Sequence, residues 1–375
     1  MTIVASEQLP FFGNTYNFTH IQNAHVWGGR SGVDGEEAQL FQPIANTGDL
    51  FIFRGQLWRC TTAGSMGDGD IGTPPSPTGN ARFAQVSTNL QFSNLQGDAG
   101  ATDLTDTNNA ATAQFRYTGT LLTTTVGALV SDGFRVFQII ASPVVSAGST
   151  NYYAALENTF YFRFVRFVNR YRMLAGSAGA TTDQGGFSVR YTLTSAVRAS
   201  HDVDEISGFG VTATQVRIRR FSSGDQVRED ETIDLRTTTT FKFRPSNTNE
   251  QNNDYWLIEF SGANITVRQL IIGDNILSIP EPYRVRGGTS FDGQDRSQTA
   301  GNLIGILQER VSCKMHFTPP SRAEGIWREL GSVQGRFLSW DLDGLLISGN
   351  LEVWRTRDTD AIGELDISIH GRNAN

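Results

Sequence analysis

The chain is dominated by short runs in which apolar and polar residues alternate, such as "FSVRYTLTSAV" and "TQVRIRRF". Alternation with a period of two places the apolar side chains on one face of an extended strand. The runs are rich in β-branched and aromatic residues, and segments rich in glycine and polar residues separate them. We therefore predict an all-β fold of antiparallel β-sandwich or jelly-roll modules with little helix.

The length of 375 residues exceeds the size at which one hydrophobic core stops growing. We predict three units: a small β module over residues 1–98, a β-sandwich, jelly-roll-like domain over 99–280, and a C-terminal β-rich domain with one short helix over 281–375. The polar segment from Ser93 to Gln114 is the candidate linker.

Turn and helix signals indicate several local elements. Arg54-Gly55 separates "DLFIF" from "QLWRCTT", and Asp343-Gly344 separates two apolar runs near the end of the chain. Both pairs are typical of tight hairpins. The segment "PPSRAEGIWRELGSV" has a proline at its start and helical apolar spacing, so it predicts the short helix.

Charge and hydropathy restrict the partners. The formal net charge is -7 and the isoelectric point is about 5.3, whereas nucleic-acid binding needs a basic face. No segment reaches the roughly 18 apolar residues that span a bilayer, and the first residues lack the features of a secretory signal. We expect neither nucleic-acid binding nor membrane insertion, and no disulfide between Cys60 and Cys313.

Catalytic motifs are missing from the sequence. The five histidines show no metal-ligand spacing, and there is no nucleophile elbow, phosphate-binding loop or dinucleotide-binding fingerprint. Carboxylate pairs for sugar hydrolysis could be assembled from many aspartates, but sequence does not fix their separation. We predict that the protein is not an enzyme and uses no cofactor; a depolymerase or other hydrolase is the alternative.

Two acidic clusters are candidates for calcium binding, because oxygen ligands at alternating positions can hold this ion. In "HDVDE" the candidate ligands are Asp202, Asp204 and Glu205, and we interpret the surrounding "ASHDVDEISGFG" as a loop. The alternative is a solvated loop without metal. The second cluster, "GDGD" at 67–70, is also typical of a simple turn.

Aromatic residues in a polar, glycine-rich setting give a candidate carbohydrate site. Sugars bind to flat aromatic faces combined with polar side chains, and Trp58, Phe51 and Phe83 lie in such a setting. The alternative is that Trp58 fills the core of the small module.

Two stretches resemble known families. The stretch from Gly48 to Val86 resembles the chitin-binding-like modules of bacteriophage tail fibres, in its Cys-Thr-Thr-Ala-Gly sequence after an aromatic and a basic residue, its proline-bearing loop and its terminal aromatic residue. The matching residues are Trp58, Arg59, Cys60, Thr61, Thr62, Ala63, Gly64, Pro74, Pro75 and Phe83. That family usually ends on tryptophan, where this chain has Phe83.

The second stretch, "NNDYWLIEFSGANITVRQLIIGDNILSIPE", is similar to the closing strands of galactose-binding-like jelly rolls in phage tail and other virion proteins. The matching residues are Tyr255, Trp256, Ile258, Ile265, Ile272, Gly273 and Pro280.

Together the resemblances imply a structural component of a tailed-bacteriophage virion, in the tail, a tail fibre or the baseplate, with host attachment as a further role. The implied partners are other copies of the chain, other virion proteins and a host cell-surface glycan, and the implied location is the virion. We expect a trimer or hexamer with arginine and aromatic contacts between subunits. The alternatives are a capsid decoration, spike or collar protein, and a stand-alone carbohydrate-binding protein.

Overall fold

A computed structural model of the protein describes most of the chain. The described residues are 2–26, 44–53, 55–65, 82–95, 114–116, 126–141, 159–175, 180–246, 249–280, 286–290, 310–317, 320–334, 336–342, 345–358 and 363–371. Most of the linker candidate, the cluster at 67–70, the prolines at 74 and 75 and the turn at 343–344 lie outside them.

The described chain consists mainly of strands. In chain order these are β1 (Thr2–Gln8), β2 (His25–Val26), β3 (Ile44–Ala45), β4 (Leu50–Phe53), β5 (Gln56–Cys60), β6 (Gly64–Ser65), β7 (Phe83–Val86), β8 (Leu90–Ser93), β9 (Gln114–Arg116), β10 (Leu129–Ser131), β11 (Arg135–Ile139), β12 (Phe162–Phe167) and β13 (Thr181–Asp183). They continue with β14 (Phe187–Thr192), β15 (Glu205–Val211), β16 (Gln215–Phe221), β17 (Val227–Asp234), β18 (Phe241–Phe243), β19 (Tyr255–Ser261), β20 (Ile265–Pro280), β21 (Arg286–Ser290), β22 (Arg310–Phe317), β23 (Phe337–Leu342), β24 (Leu345–Asp358) and β25 (Gly363–Gly371). The described helices are α1 (Phe18–Gln22), α2 (Asn169–Arg172), α3 (Ser195–Arg198) and α4 (Pro320–Val333).

The largest sheet has ten strands. Their order is β18-β15-β20-β1-β23-β24-β25-β22-β21, and β13 also pairs with β20. All pairs in this sheet are antiparallel. The first strand of the chain thus lies between a strand from the middle of the sequence and one from near its end.

A five-stranded sheet, in the order β17-β16-β19-β14-β8, faces part of the large sheet. Its central strands alternate buried and less buried residues, as their sequences predict. Val189 and Ile258 from this sheet share one core cluster with Ile206 and Leu270 from the large sheet. The predicted all-β antiparallel sandwich with little helix is therefore confirmed.

Three smaller sheets complete the described fold. One has the order β12-β11-β10-β9, one has the order β2-β4-β5-β7, and the pair β3-β6 forms the third. The predicted hairpin of β4 and β5 is present, with Phe53 opposite Gln56. Cys60 at the end of β5 is a free, buried thiol.

The two boundaries between the three predicted units do not coincide with sheet boundaries. β1 belongs to the predicted first unit, β20 to the second and β23 to the third, yet the three are neighbours in one sheet. Likewise, Leu9 and Phe12 share the core cluster of the sandwich. The division of the chain into three domains stays a prediction, and hydrogen bonding between strands is continuous across it.

The predicted C-terminal helix is confirmed as α4. Ile326, Leu330 and Val333 are buried along one side, at the spacing of an amphipathic helix. The predicted hairpin after it is also present, since β23 and β24 pair antiparallel up to Leu342 and Leu345. None of the described helices combines the length and the hydropathy that a membrane crossing needs.

The interpretation of "ASHDVDEISGFG" as a loop is wrong in its second half. Residues 201–204 are irregular, but Glu205–Val211 form strand β15, whose neighbours are β18 and β20. The sequence does not reveal this strand, because β15 is buried along almost its whole length and therefore lacks the alternation of apolar and polar residues that marks a half-buried strand. Glu205 is accordingly a buried strand residue.

Candidate functional site

The three candidate sugar-binding aromatics lie together, but in a small core. Phe51, Trp58 and Phe83 are 0%, 2% and 7% exposed, and they form one buried cluster with Ala45 and Cys60. The rings of Phe51 and Phe83 pack edge to face, with centroids 5.4 Å apart. This arrangement fits the alternative of a core-filling Trp58, since stacking of a sugar on these rings would require the cluster to open.

The three candidate calcium ligands point to different partners. Asp202 pairs with Arg198 at 2.7 Å, and Asp204 accepts a hydrogen bond from the backbone N–H of Asn275 at 3.0 Å. Glu205 accepts a hydrogen bond from the Ser339 hydroxyl at 2.9 Å. Within the described part of the chain, no three His, Cys, Asp or Glu side chains are grouped so that they could hold a metal ion.

A polar cavity lies at one end of the five-stranded sheet, and Arg198, the partner of Asp202, is one of its lining residues. Its volume is about 450 Å³, within the range of small-molecule sites. Helix α3, the turn between β16 and β17, the start of β17, and the segment before β19 supply its lining. The lining residues are Arg198, Ser222, Ser223, Arg228, Glu250, Gln251, Asn252 and Asp254.

Glu250 is a buried carboxylate held by two donors. Its Oε2 accepts from the backbone N–H of Val203 at 3.0 Å, and its Oε1 accepts from the indole N–H of Trp256 at 2.7 Å. Only 4% of the residue is exposed. Burial raises the pKa of the Glu250 carboxyl to about 7, although both hydrogen bonds act in the opposite direction.

Asp254 is buried, with 1% exposure, and only one of its two carboxylate oxygens accepts a hydrogen bond from a described residue. Its Oδ2 accepts from the backbone N–H of Gln251 at 3.0 Å, which closes the turn that leads into β19. Its Oδ1 has no hydrogen-bond partner among the described residues. A buried acceptor without a donor is unusual, because it has lost its water without replacing it.

The two arginines of the cavity differ in the hydrogen bonds and ion pairs that their guanidinium groups make. Arg198 donates from Nε to the backbone oxygen of Glu250 at 3.1 Å and pairs through Nη1 with Asp202. Arg228, at the start of β17, is exposed and makes no hydrogen bond or ion pair with another described residue. One guanidinium group of the cavity is therefore paired, and the other makes no hydrogen bond or ion pair with a described residue.

A second feature, on the surface, is a group of exposed apolar side chains around the sheet β12-β11-β10-β9. Phe160 is 70% exposed, Val126 58%, Val165 43%, Ile140 41% and Phe164 40%. They lie on β12 or next to the ends of β10, β11 and β12, and the backbone N–H of Ile140 donates to the oxygen of Tyr161, beside Phe160. Among the residues whose side-chain exposure the structure describes, Val227 and Trp327 are the other large apolar residues that are similarly exposed.

Sequence reasoning did not single out Glu250, Asp254 or Arg228. The stretch "NEQNNDYW" concentrates acids and amides directly before a strand that carries a tryptophan, and this was the available signal. It does not reveal that Arg228, more than twenty residues earlier, lies at the same cavity.

No protein-family model, curated protein or solved structure matches this chain.

Proposed function

We propose that the protein is a non-enzymatic structural component of a bacteriophage virion, in the tail, a tail fibre or the baseplate, where copies of the chain associate with one another and with other virion proteins. The resemblances of the Gly48–Val86 stretch and of the segment around Trp256 support the virion assignment. The observation that carries self-association is the exposed apolar group around β12.

The composition of this group suits a subunit interface. Monomeric proteins rarely expose several large apolar side chains together, and interfaces are enriched in aromatic residues and arginine. Phe160 and Phe164 supply the aromatic surface, and Arg163 lies between them on β12 with its guanidinium bound to Gln138.

The contact would be made by side chains, with no strand added to the sheet. Val165 is an extra residue in β12, because Val136 pairs with Arg166 while the next residue of β11, Phe137, pairs with Phe164. Such a bulge, together with arginines, disfavours pairing of an edge strand with another chain. The exposed surface of Phe160 and Phe164 would pack against the other subunit.

The first experiment is the mass of the purified protein by size-exclusion chromatography with light scattering. We expect a trimer or hexamer for the unmodified chain and dissociation for Phe160→Asp. The control is Val227→Asp, which places the same charge on an exposed apolar position of β17, outside this surface, and should leave the assembly intact. A monomeric unmodified chain, or equal behaviour of the two variants, would contradict self-association through this surface.

The second experiment tests the location. Mass spectrometry of purified phage particles should detect the protein in a fixed ratio to a known tail component. Its absence from particles that infect normally would remove the virion proposal.

A further inference from the structure

A lysine on one edge of the ten-stranded sheet contacts an aspartate on a strand that is not its neighbour. Three strands, β15, β20 and β1, lie between β18 and β23 in the described sheet. Nevertheless, Nζ of Lys242 on β18 contacts Oδ2 of Asp341 on β23 directly. We propose that these two side chains condense to an intramolecular isopeptide bond, which cross-links β18 to β23. The proposal goes beyond the virion assignment and does not depend on it.

The contact lies where little water reaches. The side chain of Asp341 is 7% exposed and that of Lys242 is 25% exposed. Ser207, the partner of Lys242 across β15 and β18, is fully buried. Such surroundings favour transfer of a proton from the ammonium group to the carboxylate, because the two neutral groups are less costly to bury than the two charges. The neutral amine and the neutral carboxyl group are the forms that condense, and the fixed contact makes their reaction unimolecular.

The choice of lysine at this position is itself informative. Of the 31 lysine and arginine residues in the sequence, two are lysines, Lys242 and Lys314. Arginine pairs with a carboxylate through two parallel hydrogen bonds, and Arg244 already contacts the same aspartate. An ion pair alone would therefore not need a lysine here. An amide bond does, because a guanidinium group stays charged whereas a lysine amine can become a neutral nucleophile.

Two further charged side chains surround the contact. Nη2 of Arg244 lies 3.0 Å from Oδ2 of Asp341 and 3.5 Å from Oε2 of Glu205. The other oxygen of Glu205, Oε1, accepts a hydrogen bond from the Ser339 hydroxyl at 2.9 Å. The cluster thus holds a cation that stabilises negative charge on Oδ2 and a second carboxylate that can carry a proton.

The reaction consumes only the two side chains. Transfer of one ammonium proton to Oδ1 of Asp341 leaves the neutral amine of Lys242, whose Nζ attacks Cγ. Arg244 stabilises the negative charge that develops on Oδ2. Glu205 takes a second proton from the nitrogen and delivers it to Oδ1. The Nζ–Cγ bond forms, the Cγ–Oδ1 bond breaks, Oδ1 leaves as water, and the third proton stays on the amide nitrogen.

The cross-link would act on the stability of the sheet. It would join two positions that are 99 residues apart, and it would fix β18, an edge strand of the described sheet. A closed loop restricts the unfolded chain and so stabilises the folded one, as a disulfide does. Unlike a disulfide, an amide bond does not depend on the redox state of the surroundings.

The test is the intact mass of the purified full chain, measured by mass spectrometry after denaturation. We expect a mass about 18 Da below that of the sequence, because one water molecule is lost. A tryptic digest should contain a branched peptide whose fragmentation locates the bond between Lys242 and Asp341. Loss of water within a single segment would not join two peptides, so the branched peptide identifies the cross-link.

Two lysine variants provide a matched pair. Lys242→Arg keeps the positive charge but cannot form the amide, so it should show its full sequence mass. Lys314→Arg changes the other lysine of the chain and should keep the deficit of about 18 Da. A third variant, Glu205→Gln, removes the proton carrier. It should lower the cross-linked fraction at least about tenfold while its circular dichroism remains that of the unmodified chain.

Three results would overturn the proposal. They are a full sequence mass for the folded, unmodified chain, a deficit that persists in Lys242→Arg, and a deficit that disappears in folded Lys314→Arg. The first result does not require any variant to fold. Complete cross-linking of folded Glu205→Gln would overturn the role of this carboxylate in proton transfer.

Discussion

The Ser339 hydroxyl donates a hydrogen bond to Glu205 at 2.9 Å, across 134 positions of sequence. The Ser207 hydroxyl in turn donates to Ser339 at 3.2 Å. Glu205 and Ser207 lie on β15 and Ser339 on β23, with β20 and β1 between these strands in the sheet. Three strand spacings in a flat sheet would separate them by about 14 Å. The large sheet is therefore strongly curled, and its two sides are joined by buried polar side chains.

The first prediction concerns this link. Ser339→Ala removes the donor to Glu205 Oε1, a carboxylate that is only 1% exposed. We expect the free energy of unfolding to fall by about 2 kcal/mol, because a buried charged acceptor loses a partner. Urea denaturation measures the change. Ser332→Ala, at an exposed hydroxyl of α4, should stay within about 0.5 kcal/mol of the unmodified protein; equal effects of the two variants would contradict the prediction.

The second prediction concerns the pH dependence caused by Glu250. Its pKa is raised to about 7 from a usual value of 4.5, so the folded protein holds this proton more tightly than the unfolded chain. The free energy of unfolding should therefore fall by up to about 3 kcal/mol as the pH rises from about 4.5 to about 7. Above that range Glu250 is ionised in both states and contributes no further change.

Denaturation of the unmodified protein and of Glu250→Gln at several pH values isolates this contribution. The values for Glu250→Gln are subtracted from those for the unmodified protein, because burial also raises the pKa of Asp274 and this second shift lowers the stability in the same direction as the pH rises. The difference between the two proteins should decline over this pH range. A constant difference would show that the carboxyl of Glu250 titrates normally.

The third prediction separates the core role of Trp58 from a surface role. Trp58→Ala should lower the free energy of unfolding by about 3 to 5 kcal/mol, as expected for a buried aromatic residue. Trp327→Ala, at a tryptophan of α4 that is 39% exposed, should cause a smaller loss, about 1 kcal/mol. Unchanged stability in Trp58→Ala, combined with lost binding to a glycan surface, would instead support the prediction of a sugar site.

The fourth prediction concerns two glycines. A Cβ atom at Gly208 would lie 2.1 Å from Cε1 of Phe241, whose residue is its partner across β15 and β18, whereas one at Gly325 in α4 would meet nothing within 4 Å. Gly208→Ala should therefore destabilise the protein by about 1 to 3 kcal/mol through overpacking. Gly325→Ala should stabilise it by about 0.5 to 1 kcal/mol, since alanine favours a helix. Thermal unfolding would show shifts of opposite sign, and shifts of the same sign would contradict the expected packing.

Elements whose signals are local could be predicted from the sequence. The alternation in "FSVRYTLTSAV" and "TQVRIRRF" gave β14 and β16, and the apolar spacing of residues 326–333 gave α4. In "TFYFRFVRF" phenylalanines alternate with other residues, a pattern that indicates one apolar face, but of Phe160, Phe162, Phe164 and Phe167 only Phe162 and Phe167 are buried. The bulge at Val165 breaks the alternation, and the local sequence does not say which side of the bulge meets the core.

Features that depend on distant pairing could not be predicted. Nothing in the sequence of β1 specifies that it lies between β20 and β23. For the same reason the cavity was missed, because Arg198, Arg228 and Asp254 meet only once three separate segments have packed. Glu205 illustrates the converse case, in which a carboxylate in a polar stretch became part of a buried strand.

The central position of β1 has a consequence for biosynthesis. The Ser6 hydroxyl donates a hydrogen bond to Oδ1 of Asn275, which lies 269 positions later in the chain. At a translation rate of about 5 to 20 residues per second, the ribosome needs roughly 13 to 54 seconds to make this partner after it has made Ser6. During that time β1 lacks both neighbouring strands, and its unpaired backbone edges are exposed to other nascent chains. Slowly translating or heavily loaded cells should therefore accumulate aggregates, and co-expression of a chaperone that holds unfolded chains should increase the yield of folded protein.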